Sequence, residues 1–133
     1  MRQTRTLVRV QSEGGKVLLM QGLDDPSVSP YANERLYLSI VATMSQTTTN
    51  SFMRFYFVPG LAHGNGKYLI NWDNLKTLDS WVENGVAPPA VPISVDGNTG
   101  ASRSRPVCVY PTWPKYVGPG SINDAANYVC ASS

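Results

Sequence analysis

Phe55-Tyr56-Phe57-Val58-Pro59-Gly60-Leu61-Ala62-His63-Gly64 is the stretch on which the reading of this chain turns. Aromatic and β-branched residues from Met53 to Val58 suit the interior of a sheet, and Pro59-Gly60 ends that strand. The only histidine of the sequence, His63, follows three residues later on a loop. A general base that takes a proton from a hydroxyl and returns it to a leaving group needs a pKa of about 7 and a mount at a rigid strand end. A histidine just past a strand meets both needs. Taken by itself, a lone histidine is more often a satisfied surface or core residue. The reading therefore depends on what lies around it.

Upstream, Lys16-Val17-Leu18-Leu19-Met20-Gln21 is a continuous apolar run between Gly14-Gly15 and Gly22, the pattern of a buried, parallel-type strand. The loop Gly22-Leu23-Asp24-Asp25-Pro26-Ser27-Val28 leads into a predicted helix, with Ser29 as N-cap and Pro30 as its first residue. Leu36, Ile40 and Met44, with Tyr37 and Val41 beside them, make its apolar stripe. The polar stretch from Ser45 to Asn50 reads as a loop. A second helix spans approximately Asp73 to Asn84, with Leu75, Leu78 and Val82 on one face, Trp81 at its flank and Gly85 as the stop. From Val86 onward, Pro88-Pro89, Pro92, Gly97, Gly100, Pro111, Pro114 and Pro119 argue against regular elements, and an irregular tail is expected.

The order strand, acidic loop, helix, strand, histidine loop, helix and tail implies an α/β fold with two parallel strands and covering helices. Two strands leave edges and faces bare, so the chain reads as one end of a larger α/β sheet. It forms a single partial domain, with strand-helix-strand-helix over residues 1–87 and the tail over 88–133. At 133 residues, with 42% apolar and 15% charged content, it has the composition of an ordinary globular domain. The net charge of +2 is scattered apart from Arg103-Ser104-Arg105, so no nucleic-acid footprint is expected. No apolar run is long enough to cross a membrane. The start, Met1-Arg2-Gln3-Thr4-Arg5, lacks the apolar core of a signal peptide. A metal site is not expected, because Cys108 and Cys130 form no CxxC pair and no second histidine is present. The two cysteines lie in a tail rich in Pro, Gly, Tyr and Ser, either bridged or as two buried thiols.

An aspartate after the first strand and a histidine after the second can meet at the same sheet edge, where a carboxylate would fix the imidazole tautomer. In α/β-hydrolases the triad runs Ser, then Asp, then His along the chain, and this sequence supplies the last two in that order. Asp24 and Asp25 both stand in the loop. Asp24 reads as a turn-capping residue. Asp25 matches the hydrolase spacing Gly-x-x-Asp-x-x-Val from Gly22 to Val28 and is the candidate partner of His63.

Seven blocks together resemble the C-terminal portion of the tannase and feruloyl esterase family. They are Gly14-Gly15-Lys16-Val17-Leu18-Leu19, Gly22-Leu23-Asp24-Asp25-Pro26, Phe57-Val58-Pro59-Gly60-Leu61-Ala62-His63, the stretch from Trp81 to Pro88, the stretch from Arg105 to Pro111, Tyr116 to Ser121, and Asp124 to Cys130. The resemblance implies secreted or periplasmic serine esterases of the α/β-hydrolase fold, without cofactor, acting on esters of gallic, ferulic and related aromatic acids. It assigns Asp25 and His63 to the triad and pairs Cys108 with Cys130 in a disulfide.

Two features depart from the family pattern. Gly64 stands where members usually carry a cysteine bonded to one beside the nucleophile, and no Gly-x-Ser-x-Gly elbow occurs in these residues. Ser27, Ser29 and Ser39 lie on the wrong side of the acidic loop. The serine and oxyanion hole are therefore expected upstream, and the chain by itself is not expected to turn over an aromatic ester. The alternative is a non-catalytic remnant acting as a binding or structural module, for which a homo-oligomer would complete the sheet. A carbohydrate- or surface-binding module would rest on Tyr110, Trp113 and Tyr116 alone, which read better as packing the tail down.

Overall fold

The computed structural model describes residues 2–132. At its centre, β1 (Val17–Gly22) and β2 (Met53–Val58) pair in parallel, in register from Val17 opposite Met53 to Gly22 opposite Val58. Helix α2 (Pro30–Met44) lies between them in sequence and packs against the pair. Its Tyr37 and Ile40 pack on Met53, Phe55 and Phe52, with Leu36, Val41 and Met44 at the margin of the same cluster. Each such large apolar side chain removed from water contributes about 1.5–3 kcal/mol. This cluster is the main support of the parallel pair. Ser29 and Pro30 stand where the sequence placed them, although the Ser29 side chain makes no capping hydrogen bond.

Two expectations are corrected, and one helix lies where the sequence reading named no element. Arg2–Ser12 forms a helix, α1, which lays Leu7 against the core and Thr4 against Ser39 of α2. The stretch from Ser45 to Asn50, read as loop, falls mostly in helix α3 (Gln46–Phe52), because the Ser45 side chain accepts from the Thr48 N–H and Thr49 and Phe52 are buried. In α4 (Asn74–Asn84) the buried residue is Trp81, while Leu75 and Val82 are exposed. Trp81 is held by cations, with Arg54 at 4.8 Å and Lys16 at 5.3 Å from its ring. Gly85 closes α4 in the left-handed conformation, φ +67°.

The tail is also more regular than its prolines and glycines suggest. A short strand β3 (Ile70–Asn71) pairs antiparallel with β4 (Ile93–Asp96), which pairs with β5 (Gly100–Pro106). A separate hairpin joins β6 (Trp113–Tyr116) to β7 (Tyr128–Ala131). Proline sits where it costs little. Pro106 ends β5, and Pro114 lies in a two-stranded hairpin with a free edge. Cys108 and Cys130 are bridged, with Cα atoms 5.5 Å apart, and this ties the hairpin to the buried segment Val107-Cys108. Tyr110 does pack the tail down: its ring stacks on Phe55 at 5.4 Å and meets Phe57 and Tyr37 edge-on. Its hydroxyl donates to Glu34 at 2.7 Å, and that bond, with burial, pushes Tyr110 up to about 12. Among the described residues no helix is long and apolar enough to cross a membrane, and no cluster could hold a metal ion.

Candidate active site

Both loops that follow the parallel strands leave the sheet at the same end, and the backbone brings them into contact. The Leu23 N–H donates to the Val58 carbonyl and the Asp24 N–H to the Leu61 carbonyl, at 3.1 and 3.0 Å. Gly22 makes this approach possible. A Cβ at that position would collide with the carbonyl oxygens of Leu61 and Ala62.

The histidine loop is a tight hairpin. Leu61 bridges Gly66, and the Ala62 N–H donates to the Asn65 carbonyl at 2.7 Å. His63 and Gly64 form its tip, and Gly64 takes φ +79°, a conformation that suits glycine. At its base the Tyr68 N–H donates to the Gly60 carbonyl. The result is a mount whose backbone is fixed while the imidazole side chain remains 62% exposed.

Asp25 and His63 meet as the sequence suggested, with His63 Nδ1 3.0 Å from Asp25 Oδ2. The other carboxylate oxygen, Oδ1, accepts the N–H groups of Ser27 at 2.7 Å and Val28 at 2.9 Å. Asp25 thus fastens its own loop with one oxygen and the histidine with the other, and its side chain is only 7% exposed. The His63 hydrogen bond, helped by the Val28 and Ser27 N–H groups and opposed by burial, lowers its carboxyl to about 2. An ionised carboxylate can only accept, so Nδ1 must carry the proton. In the neutral form of the ring the lone pair then lies on Nε2, the nitrogen away from Asp25. The turn-capping role considered for Asp24 belongs to Asp25. Asp24 contributes its backbone N–H and an exposed side chain.

Two residues that the sequence reading did not single out complete the assembly. The Gln21 side chain, buried at the end of β1, donates from Nε2 to the carbonyls of Gly22 and Val28, at 2.9 and 3.2 Å. Its Oε1 accepts from Asn33 Nδ2 of α2. Val28 is consequently gripped at its N–H by Asp25 and at its carbonyl by Gln21, so the acidic loop is anchored to both β1 and α2. Gln21, Asn33, Asp25 and His63 line one open cleft of about 430 Å³. The arrangement can orient an imidazole, hold it in one tautomer and stabilise its protonated form. A pair of this kind has the chemistry of a base and an orienting acid, and no Gly-x-Ser-x-Gly segment occurs in the sequence.

The sequence model of the family described as tannase and feruloyl esterase matches residues 2–131. An uncharacterized esterase of Agrobacterium fabrum is 52% identical over 120 residues, which are 89% of this chain and 22% of the relative. Mono(2-hydroxyethyl) terephthalate hydrolase of Piscinibacter sakaiensis is 34% identical over 95% of this chain and 21% of its own length. Among solved structures, feruloyl esterase B from Aspergillus oryzae superposes with a TM-score of 0.79 at 30% identity, covering 94% of this chain and 28% of that one. The chain therefore spans between about a fifth and somewhat more than a quarter of the length of these relatives.

Proposed function

The chain belongs to the tannase and feruloyl esterase family, and on that premise we propose that it supplies the aspartate and histidine of a Ser–His–Asp triad acting on esters of aromatic acids. The observation that carries the proposal is the 3.0 Å contact between Asp25 Oδ2 and His63 Nδ1, at the carboxyl ends of two adjacent parallel strands. The names of two relatives, a feruloyl esterase and a terephthalate monoester hydrolase, support the aromatic acid as the acyl group.

In this mechanism His63 Nε2 takes the hydroxyl proton as the serine attacks the ester carbonyl. The Asp25 carboxylate stabilises the imidazolium, which then protonates the departing alcohol. Water attacks the resulting acyl-enzyme with His63 again as base. The serine and the oxyanion-hole donors come from outside these residues. The Cys108–Cys130 bridge supports a working place in an oxidising compartment, periplasmic or extracellular.

The test is a chimera in which this chain replaces the matching segment of the Agrobacterium relative. It should hydrolyse methyl ferulate, lose activity with His63→Ala, and lose roughly 10⁴ in kcat with Asp25→Asn, the scale seen when a triad histidine is left in the wrong tautomer. The 133-residue chain alone should show no hydrolysis above a His63→Ala control. Turnover that survives His63→Ala in the chimera overturns the proposal. A folded chimera with the Asp25–His63 bond intact and no turnover would favour the non-catalytic module instead.

A further inference from the structure

A second cavity, of about 370 Å³, is lined in part by the Pro59-Gly60 turn and has no lining residue in common with the cleft of Asp25 and His63. Its walls are mostly apolar, with the Tyr68 ring, Val107 and the Trp113 indole among them. Three cations, Lys67, Arg103 and Arg105, line it as well, and no carboxylate does. Apolar walls with a few placed polar groups, at a volume of roughly 300–1,000 Å³, are the usual form of a small-molecule site.

The three cations are not equivalent. Arg103 is committed: it pairs at 3.3 Å with Asp96, which is fully buried, and donates to the Lys67 carbonyl at 3.0 Å. Even so, its Nε–H is buried without a partner. Arg105 is fixed in place by the Tyr128 ring, 4.4 Å from its guanidinium carbon, and by one hydrogen bond from Nη1 to the Ser104 carbonyl. Among the described residues neither Arg105 nor Lys67 has a carboxylate within ion-pairing distance. Arg105 feels the buried Asp96 charge at longer range only, so the cavity joins two cations free of a close ion pair, one of them pre-oriented, to aromatic and aliphatic walls. A free phosphate would use the cations and waste the walls. A neutral ester would do the reverse.

We propose that this cavity binds an aromatic carboxylate, its carboxyl group on Arg105 and Lys67 and its ring against Tyr68 and Trp113. The choice of an aromatic acid rests on the esterase reading, since that reaction releases one. Planar guanidinium suits a carboxylate by its two-pronged donor geometry, and flat rings suit the aromatic walls. The site is distinct from the dyad, so acid bound there does not occupy the place where an ester would react.

The experiment is a ¹H–¹⁵N NMR titration of the intact chain with ferulate, with methyl ferulate and with inorganic phosphate as separate probes, each to about 10 mM, a range that captures weak millimolar binding. Ferulate should shift the Trp113 indole and the amides of Tyr68 and Arg105. Arg105→Gln should weaken its binding about tenfold, the loss of one charge-assisted contact, and the exposed Lys67→Gln should weaken it by a smaller factor. Methyl ferulate should bind at least about tenfold more weakly than the acid. The proposal is overturned by equal binding of acid and ester, by phosphate shifting the same resonances as strongly as ferulate, by unchanged affinity in both variants, or by ferulate shifts confined to the Asp25–His63 cleft. That last result would leave the esterase reading standing. An inactive chimera combined with ferulate binding at Arg105 would sink the esterase reading and leave this site.

Discussion

Cys130→Ala should destabilise the chain by roughly 3.4 kcal/mol, and the reasoning can be followed to the assay. The bridge closes a loop with a sequence separation of 22 residues. In the loop-entropy model that length removes about 11 cal/mol/K from the unfolded chain, or about 3.4 kcal/mol at room temperature. Substituting Cys130 isolates the crosslink, because Cys108 is the sulfur embedded in the core, 1% exposed, and it stays in place. Replacing Cys108 instead would add a cavity cost. With a urea m-value of roughly 1.5 kcal/mol/M, the unfolding midpoint should fall by about 2 M relative to the oxidised parent. The loss should be felt first in the β6–β7 hairpin. Pro114 pairs with Cys130 there, and Trp113, Tyr116 and Val129 are exposed rather than buried in a core. Trp113 fluorescence should therefore change at lower urea than the far-UV signal of the helices. A midpoint shift below about 0.5 M would refute the reasoning, since the tail would then be held by its packing and not by the bridge. Mass spectrometry of the non-reduced parent should show two hydrogens fewer than the reduced chain.

Three further outcomes are expected. Asp25→Asn should transfer the His63 proton from Nδ1 to Nε2, read by ¹⁵N NMR on the only imidazole in the chain; an unchanged tautomer would remove the orienting role from Asp25. Because the folded Asp25 carboxyl lies at about 2, below its ordinary 3.8, its contribution to stability is full above about pH 4 and is lost as pH falls toward 2. Acid unfolding followed by circular dichroism should accordingly show a shallower loss across that window in His63→Ala than in the parent, and identical curves would contradict the assignment. Gln21→Leu removes two donors to the acidic loop and leaves the Asn33 amide unpaired, which should cost about 1–3 kcal/mol. Hydrogen exchange of the Ser27 and Val28 amides should quicken in this variant beyond the global change, and uniform quickening would mean that Gln21 supports the fold without holding the loop.

What the sequence made legible, and what it hid, follows from where the signals lie. β1, β2 and α2 each announce themselves locally, by an apolar run, an aromatic strand and a stripe at helical spacing, and the structure places them accordingly. Gln46–Phe52 did not, because a run of threonines and an asparagine has no apolar period. Its helix exists through the Ser45 cap and the burial of Thr49 and Phe52, which are tertiary facts. β5, Gly-Ala-Ser-Arg-Ser-Arg-Pro, has no strand pattern at all and is ordered by β4 on one side and by Ser104 contacts to Asn123 and Ala125 further along the chain. The site divides in the same way. Asp25 and His63 could be found because strand ends and residue chemistry are written in order along the chain. Gln21 could not, since as the last residue of an apolar run it looks like a strand terminus. Its function appears only when Val28 folds back beside it and Asn33 arrives from α2. Gly22 is the instructive intermediate case. It read as a strand stop, yet its missing side chain is what allows the two loops to touch. A dyad distance of 3.0 Å is thus supported by a glycine and an amide one step behind the two side chains that meet. Substitutions there should disturb the His63 tautomer while leaving both catalytic candidates in the sequence.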